Sequence, residues 1–130
     1  MKNTESIIEQ KSFRFSVRII NLYKFLQENT KEYVLSKQVL RSGTSIGANV
    51  NEALSAESTS DFIHKLGIAS KEVRETSYWL RLLNETQFID AKSFESIHGE
   101  CLELLKIINS IILTTKQKQE EKKKKSEQKS

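Results

Sequence analysis

The chain has 130 residues, 37% hydrophobic and 29% charged, with one cysteine, four glycines and no proline. That length supports a single hydrophobic core, and the scarcity of glycine and proline leaves too few turn signals for a β-rich or α/β fold. The formal charge of +4 is unevenly placed: of 21 basic and 17 acidic residues, seven lysines and three glutamates fall within 116–130, leaving fourteen of each sign in residues 1–115. Neither a membrane-length apolar run nor a signal-peptide h-region is present, and a lone Cys101 fits a reducing, cytoplasmic setting without disulfides or thiolate metal clusters.

Four segments carry apolar residues at alternating spacings of three and four, which places one buried face on each of four helices. Phe15, Ile19, Leu22 and Leu26 form the first stripe. Its helix begins at Ser12, leaving Met1 to Lys11 as an extended arm, or starts earlier. The second stripe runs Leu35, Val39, Ser42, Ile46, Asn49, Ala53 and Ala56, with Ser36 as N-cap and Leu35 and Leu40 as a hydrophobic staple. Gly43 and Gly47, one turn apart, imply close approach of a neighbouring helix; the alternative is a loop that breaks the second helix.

The third stripe is Phe62, Leu66, Ala69, Val73, Thr76, Leu80 and Leu83, capped by Ser58 or Ser60. The fourth is Phe94, Ile97, Cys101, Leu104, Ile108 and Ile111, capped by Asp90 with Ile89 and Phe94 as the staple. Connections near 29–35, 57–60 and 85–89 are short enough for antiparallel neighbours. The expected fold is all-α: an antiparallel up-and-down four-helix bundle over 12–115, with a basic extension at 116–130 that is either helical or disordered. Phe13, Val17, Ile20, Tyr23 and Phe25 lie off the first stripe, and further apolar residues lie off the third and fourth, which points to self-association.

The inventory of reactive side chains argues against an enzyme. His64 and His98 are the only histidines, and Glu95-x-x-His98 lacks the further core carboxylates that a di-metal bundle needs. Cys101 reads as a buried structural thiol. No catalytic residue, metal or cofactor is therefore expected. Folding the chain about residues 58–59 brings Arg41 near Glu75 and Thr76, Ser45 near Glu72, and Glu52 near Lys65. The expected ion pairs are Arg41 with Glu75 or Glu72, and Glu52 with Lys65. Asn49 must satisfy its amide against a backbone or a side chain across the seam.

Lys11, Arg14 and Arg18 share one face of the first helix, and Lys37 adds to the basic surface of the second. The tail, with Lys122, Lys123, Lys124 and Lys125 in succession, contains no apolar residue after Leu113. Phosphate contact with RNA or DNA through these cations is one reading. A protein–protein adaptor or self-assembling scaffold with no nucleic-acid role is the alternative.

The run Gln38-Val-Leu-Arg-Ser-Gly-Thr-Ser-Ile-Gly-Ala-Asn-Val-Asn-Glu-Ala53 resembles the signature of bacterial four-helix-bundle proteins encoded in intervening sequences of 23S ribosomal RNA genes. So does Asp61-Phe-Ile-His-Lys-Leu-Gly-Ile-Ala-Ser-Lys-Glu72, followed by Glu75-Thr76 and Trp79-Leu80. The resemblance covers about residues 11–113, outside the lysine-rich tail, and extends to the accessory variability proteins of diversity-generating retroelements. It implies a homopentamer without a catalytic centre, with nucleic acid and a reverse transcriptase as partners in the retroelement members. It also places Arg41, Ser45, Asn49, Glu52, Glu72 and Glu75 on the signature, in structural roles.

Overall fold

The computed structural model describes residues 2–129 and contains four helices: α1 (Lys2–Asn29), α2 (Leu35–Leu54), α3 (Thr59–Glu85) and α4 (Ala91–Lys129). No strand occurs among the described residues. Each helix packs on two others, in the order α1, α2, α3, α4 and back to α1, while the diagonal pairs stay apart. Along α3, Ser70 and then Ser77 meet Asn109 and then His98 of α4, and along α1, Lys11 and then Arg18 meet Glu103 and then Glu100, so these neighbours are antiparallel.

The core is built from the predicted stripes. Phe15, Ile19, Leu26, Val39, Ile46, Leu66, Val73, Leu80, Leu83, Cys101, Leu104 and Ile108 are almost wholly excluded from solvent. Phe62, Phe94 and Ile111, at stripe ends, are only half-buried. The extended N-terminal arm is corrected: α1 is continuous from Lys2, and Met1 lies outside the described residues. The reason is Ile8, which falls on the same helical face as Phe15 and Ile19 and is fully buried, so the first turns gain core contacts that an extended arm would lack. Ser12 is buried inside α1 and donates to the Glu9 carbonyl at 3.2 Å rather than capping the helix.

Two of the three predicted caps are present. Ser58 Oγ accepts from the Asp61 amide at 3.0 Å, and Asp90 accepts from the Ser93 amide at 2.7 Å. The Ser93 hydrogen bonds hold the Asp90 carboxyl below its ordinary range. At α2 the expected Ser36 cap is replaced by Glu32. Its carboxylate accepts from the amides of Val34, Leu35 and Ser36 at 3.2, 3.0 and 2.7 Å, satisfying donors that the first turn would otherwise leave open. Ser36 sits within the helix, buried, and donates to the Glu32 carbonyl at 2.8 Å.

Gly43 and Gly47 lie within a continuous α2, at its contact with α1. A Cβ at Gly43 would fall 2.7, 2.8 and 3.0 Å from three side-chain carbons of buried Ile19. One at Gly47 would lie 3.2 Å from Ser16 Oγ and 3.3 Å from the Ser12 carbonyl oxygen. Gly67 and Gly99 differ, since a Cβ at either meets nothing within 4 Å. Gly43→Ala is therefore expected to destabilise the fold by about 1–3 kcal/mol through overpacking. Gly67→Ala and Gly99→Ala should each stabilise it, by up to about 1 kcal/mol, by raising helix propensity. Urea unfolding of the three variants reads both signs.

Candidate nucleic-acid interface

The signature residues assemble at the α2–α3 seam. Arg41 forms ion pairs with both Glu72, at 3.5 Å, and Glu75. Glu75 Oε2 also accepts from Trp79 Nε1 at 3.0 Å, so one carboxylate ties α2 to an indole one turn along α3. Beneath them Thr76 Oγ1 lies 2.9 Å from Ser42 Oγ and 2.8 Å from the Glu72 carbonyl oxygen. With a single proton, Thr76 donates to the carbonyl and accepts from Ser42, which satisfies two fully buried hydroxyls.

Asn49 satisfies its amide against a backbone, the first of the two expected alternatives, donating to the Ser45 carbonyl at 2.8 Å within α2. Ser45 donates to the Arg41 carbonyl at 2.6 Å and forms no hydrogen bond with Glu72. One expectation at this seam is corrected. Glu52 and Lys65 form no ion pair; Glu52 is exposed on the outer side of α2.

The basic stripe of α1 is largely neutralised by α4. Lys11 pairs with Glu103 at 3.2 Å, and Arg18 pairs with Glu100 at 2.6 Å while donating to Ser96 Oγ at 3.1 Å. Of that stripe, Arg14 alone is exposed without an ion pair, as is Lys37 on α2. The tail is helical through Lys129 as the continuation of α4, and residues 116–129 are exposed throughout, including Lys122, Lys123, Lys124 and Lys125. Lys11 and Arg18 are thus engaged by α4, while Arg14, Lys37 and Lys122, Lys123, Lys124 and Lys125 are in no ion pair.

The α3–α4 seam carries a polar layer that the apolar periodicity does not reveal. Ser70 Oγ donates to Asn109 Oδ1 at 2.8 Å, and Ser77 Oγ lies 2.8 Å from His98 Nε2. Phe94 stacks on the His98 ring at 4.7 Å between centroids and 17° between planes. Burial, and secondarily the nearby Arg81 charge, lowers the His98 pKa. The Cys101 thiol donates to the Val73 carbonyl at 3.5 Å, and burial pushes its pKa up to about 12, so it holds no thiolate at neutral pH. Lys71, Arg74 and Arg81 on α3 and Lys106 on α4 are exposed and none is in an ion pair. Their spacing of three and seven along α3 is visible in the sequence once the α3–α4 face is known, but not before.

A lowered histidine pKa means that the unfolded chain takes up a proton before the folded one does. The His98 contribution is therefore complete above the ordinary histidine pKa of about 6.5, and it is lost as pH falls below that value. Unfolding by urea at about pH 7.5 and about pH 5.5 should show the parent losing stability on acidification. His98→Gln should lose less over the same interval.

Residues 4–110 match the family model described as 23S rRNA-intervening sequence protein. A crystal structure of a protein of unknown function from the S23 ribosomal protein family of Bacteroides thetaiotaomicron is 53% identical, with a TM-score of 0.83. The similarity covers 84% of this chain and 97% of that one. No curated protein matches. The family match stops at residue 110, short of the lysine-rich end of α4, and contains the Arg41–Glu72–Glu75 network whole. By sequence over most of its length and by fold, the chain belongs to the 23S rRNA-intervening sequence protein family.

Proposed function

We propose that this protein is a non-enzymatic, self-associating four-helix bundle that binds RNA or DNA through phosphate contacts. The observation that carries the reading is the terminal part of α4. Residues 116–129 continue the helix with every residue exposed, and they hold seven lysines against three glutamates. At 1.5 Å per residue this is an arm of about 20 Å. Nothing apolar lies on it to seek a protein core, and its excess charge attracts a polyanion by releasing condensed counterions.

Self-association is supported by α1. Phe13, Val17 and Ile20 are 67%, 44% and 39% exposed, and Phe13 and Ile20 line a shallow groove bordered by Thr44, Gly47 and Ala48 of α2. An apolar stripe of this kind on one outer helix face fits a second copy of the chain. A ring of five, as the family resemblance implies, would bring several basic arms onto one assembly and raise the local field.

Replacing Lys122, Lys123, Lys124 and Lys125 together by glutamine is expected to weaken binding to duplex or single-stranded probes without sequence preference. The slope of log affinity against log salt should fall by about 3. Fluorescence anisotropy from about 0.05 to 0.3 M salt measures it, and absence of binding by the parent at the low end removes the nucleic-acid reading in favour of an adaptor. Val17→Glu should shift the assembly toward monomer in sedimentation equilibrium; a parent that is already monomeric overturns the self-association.

A further inference from the structure

The ion pairs among the described residues sit on only two of the four helix seams. Arg41 bridges α2 to α3, while Lys11 and Arg18 bridge α1 to α4. The α3–α4 seam is closed instead by neutral groups: Ser70 with Asn109, Ser77 with His98, and Cys101 with the Val73 carbonyl. Yet Arg74, at Ser70, and Arg81, beside His98, border it, and both are exposed, as are Lys71 on α3 and Lys106 on α4. Of the carboxylates near them in helical register, Glu75 and Glu103 are engaged by Arg41 and Lys11, and Glu85 and Glu95 are exposed and pair with none of the four. Lys11, Arg18 and Arg41 are spent on the bundle itself, whereas these four, like Arg14 and Lys37, are not.

Their placement is specific. Lys71, Arg74, Tyr78 and Arg81 follow at spacings of three, four and three, so they share one face of α3 over about 15 Å. Arg74 Nη1 lies 3.4 Å from Ser70 Oγ, which bonds Asn109, so its guanidinium stands over the seam. Arg81 lies close enough to His98 to disfavour a second charge there. Between the two arginines Tyr78 is 51% exposed. Its ring is held edge-on to Trp79, at 5.3 Å and 67°. Trp79 is in turn fixed by Glu75, and Glu75 by Arg41. The signature network on the α2 side thereby braces an aromatic platform on the α3–α4 side.

We infer that the α3–α4 face is a binding surface for single-stranded nucleic acid, with phosphates on Arg74 and Arg81, flanked by Lys71 and Lys106, and a base stacked on Tyr78. The inference rests on the nucleic-acid reading above and adds a surface on the folded body that is separate from the arm. Single strands are favoured over duplex because a braced, exposed ring between cations offers a face to an unstacked base, whereas a duplex keeps its base faces stacked inside.

The test uses the full chain and a labelled oligothymidylate of about 20 nucleotides. Arg74→Ala with Arg81→Ala should lower the log–log salt slope by about 1.4, which is about 25-fold in affinity at 0.1 M salt if the curves converge at 1 M. Tyr78→Leu should weaken binding roughly ten-fold with the slope unchanged, while Tyr78→Phe retains it. Trp79, the only tryptophan, should change fluorescence on binding in the parent. Circular dichroism confirms folding of each variant. Parent-like affinity in the double arginine variant, with unchanged Trp79 emission and binding lost only on removal of the arm lysines, overturns this surface while the nucleic-acid reading stands. A parent that binds no probe at low salt removes that reading first, and with it the surface.

Discussion

The missing Cβ atoms at Gly43 and Gly47 set how closely α1 and α2 can lie, and much of the bundle follows from that spacing. Ile19 fills the volume over Gly43, and the Ser12 carbonyl and Ser16 hydroxyl rest over Gly47. Those contacts need small residues on one side only, because the other side of α2 is turned to α3 through Ser42 and Thr76. The α1–α4 seam is the loosest of the four, and it is bridged at its edge by long charged side chains rather than sealed by short apolar ones. Exposed pairs of this kind contribute roughly 0–1 kcal/mol each, so their role is orientation more than stability.

Charge is distributed by the same logic. A four-helix square has four seams, and a lysine or arginine beside a seam is neutralised when the facing helix offers a carboxylate within reach. Glu100 and Glu103 do this for α1, and Glu72 and Glu75 do it for α2. On the α3–α4 side the facing positions are Asn109, His98 and Leu105, which close the seam without countering the cations. The low His98 pKa is a local consequence: a half-buried imidazole hydrogen-bonded to Ser77 and close to Arg81 is easier to keep neutral than to charge.

The fold was legible in the sequence because period-3.6 patterning survives in each helix, and because Ser58 and Asp90 are residue types whose side chains bond the backbone ahead of them. The reach of α1 to Lys2 was less visible, since Ile7 and Ile8 are an adjacent apolar pair among polar residues and carry no helical period alone. Glu32 escaped for a different reason. Glutamate is not a preferred cap, and it works here only because the loop, with Lys31 at φ 58°, turns its carboxylate onto three amides. The pairing of Arg41 with α3 could be found by folding the sequence about its loop, because antiparallel register is arithmetic. That Lys11 and Arg18 are countered by α4 could not, since first and last helices share no loop from which to count.

Net charge is a poor guide to what the body can bind. Residues 1–115 sum to zero, yet the sum counts Glu100, Glu103, Glu72 and Glu75, whose charge is already answered within a few ångströms. A neutralised pair contributes little field beyond a Debye length of about 8 Å, so an approaching polyanion responds to the cations left over and to where they stand. On this chain those include the exposed lysines of the α4 arm, Arg14, Lys37 and the arginines flanking Tyr78. On the proposed reading the arm would act as a long-range, sequence-indifferent attractor, and the α3–α4 face as a short-range site shaped by a fixed ring. Both lie on α4 or its neighbour α3, so a strand drawn in by the arm would need to travel only along one side of the bundle to reach the other.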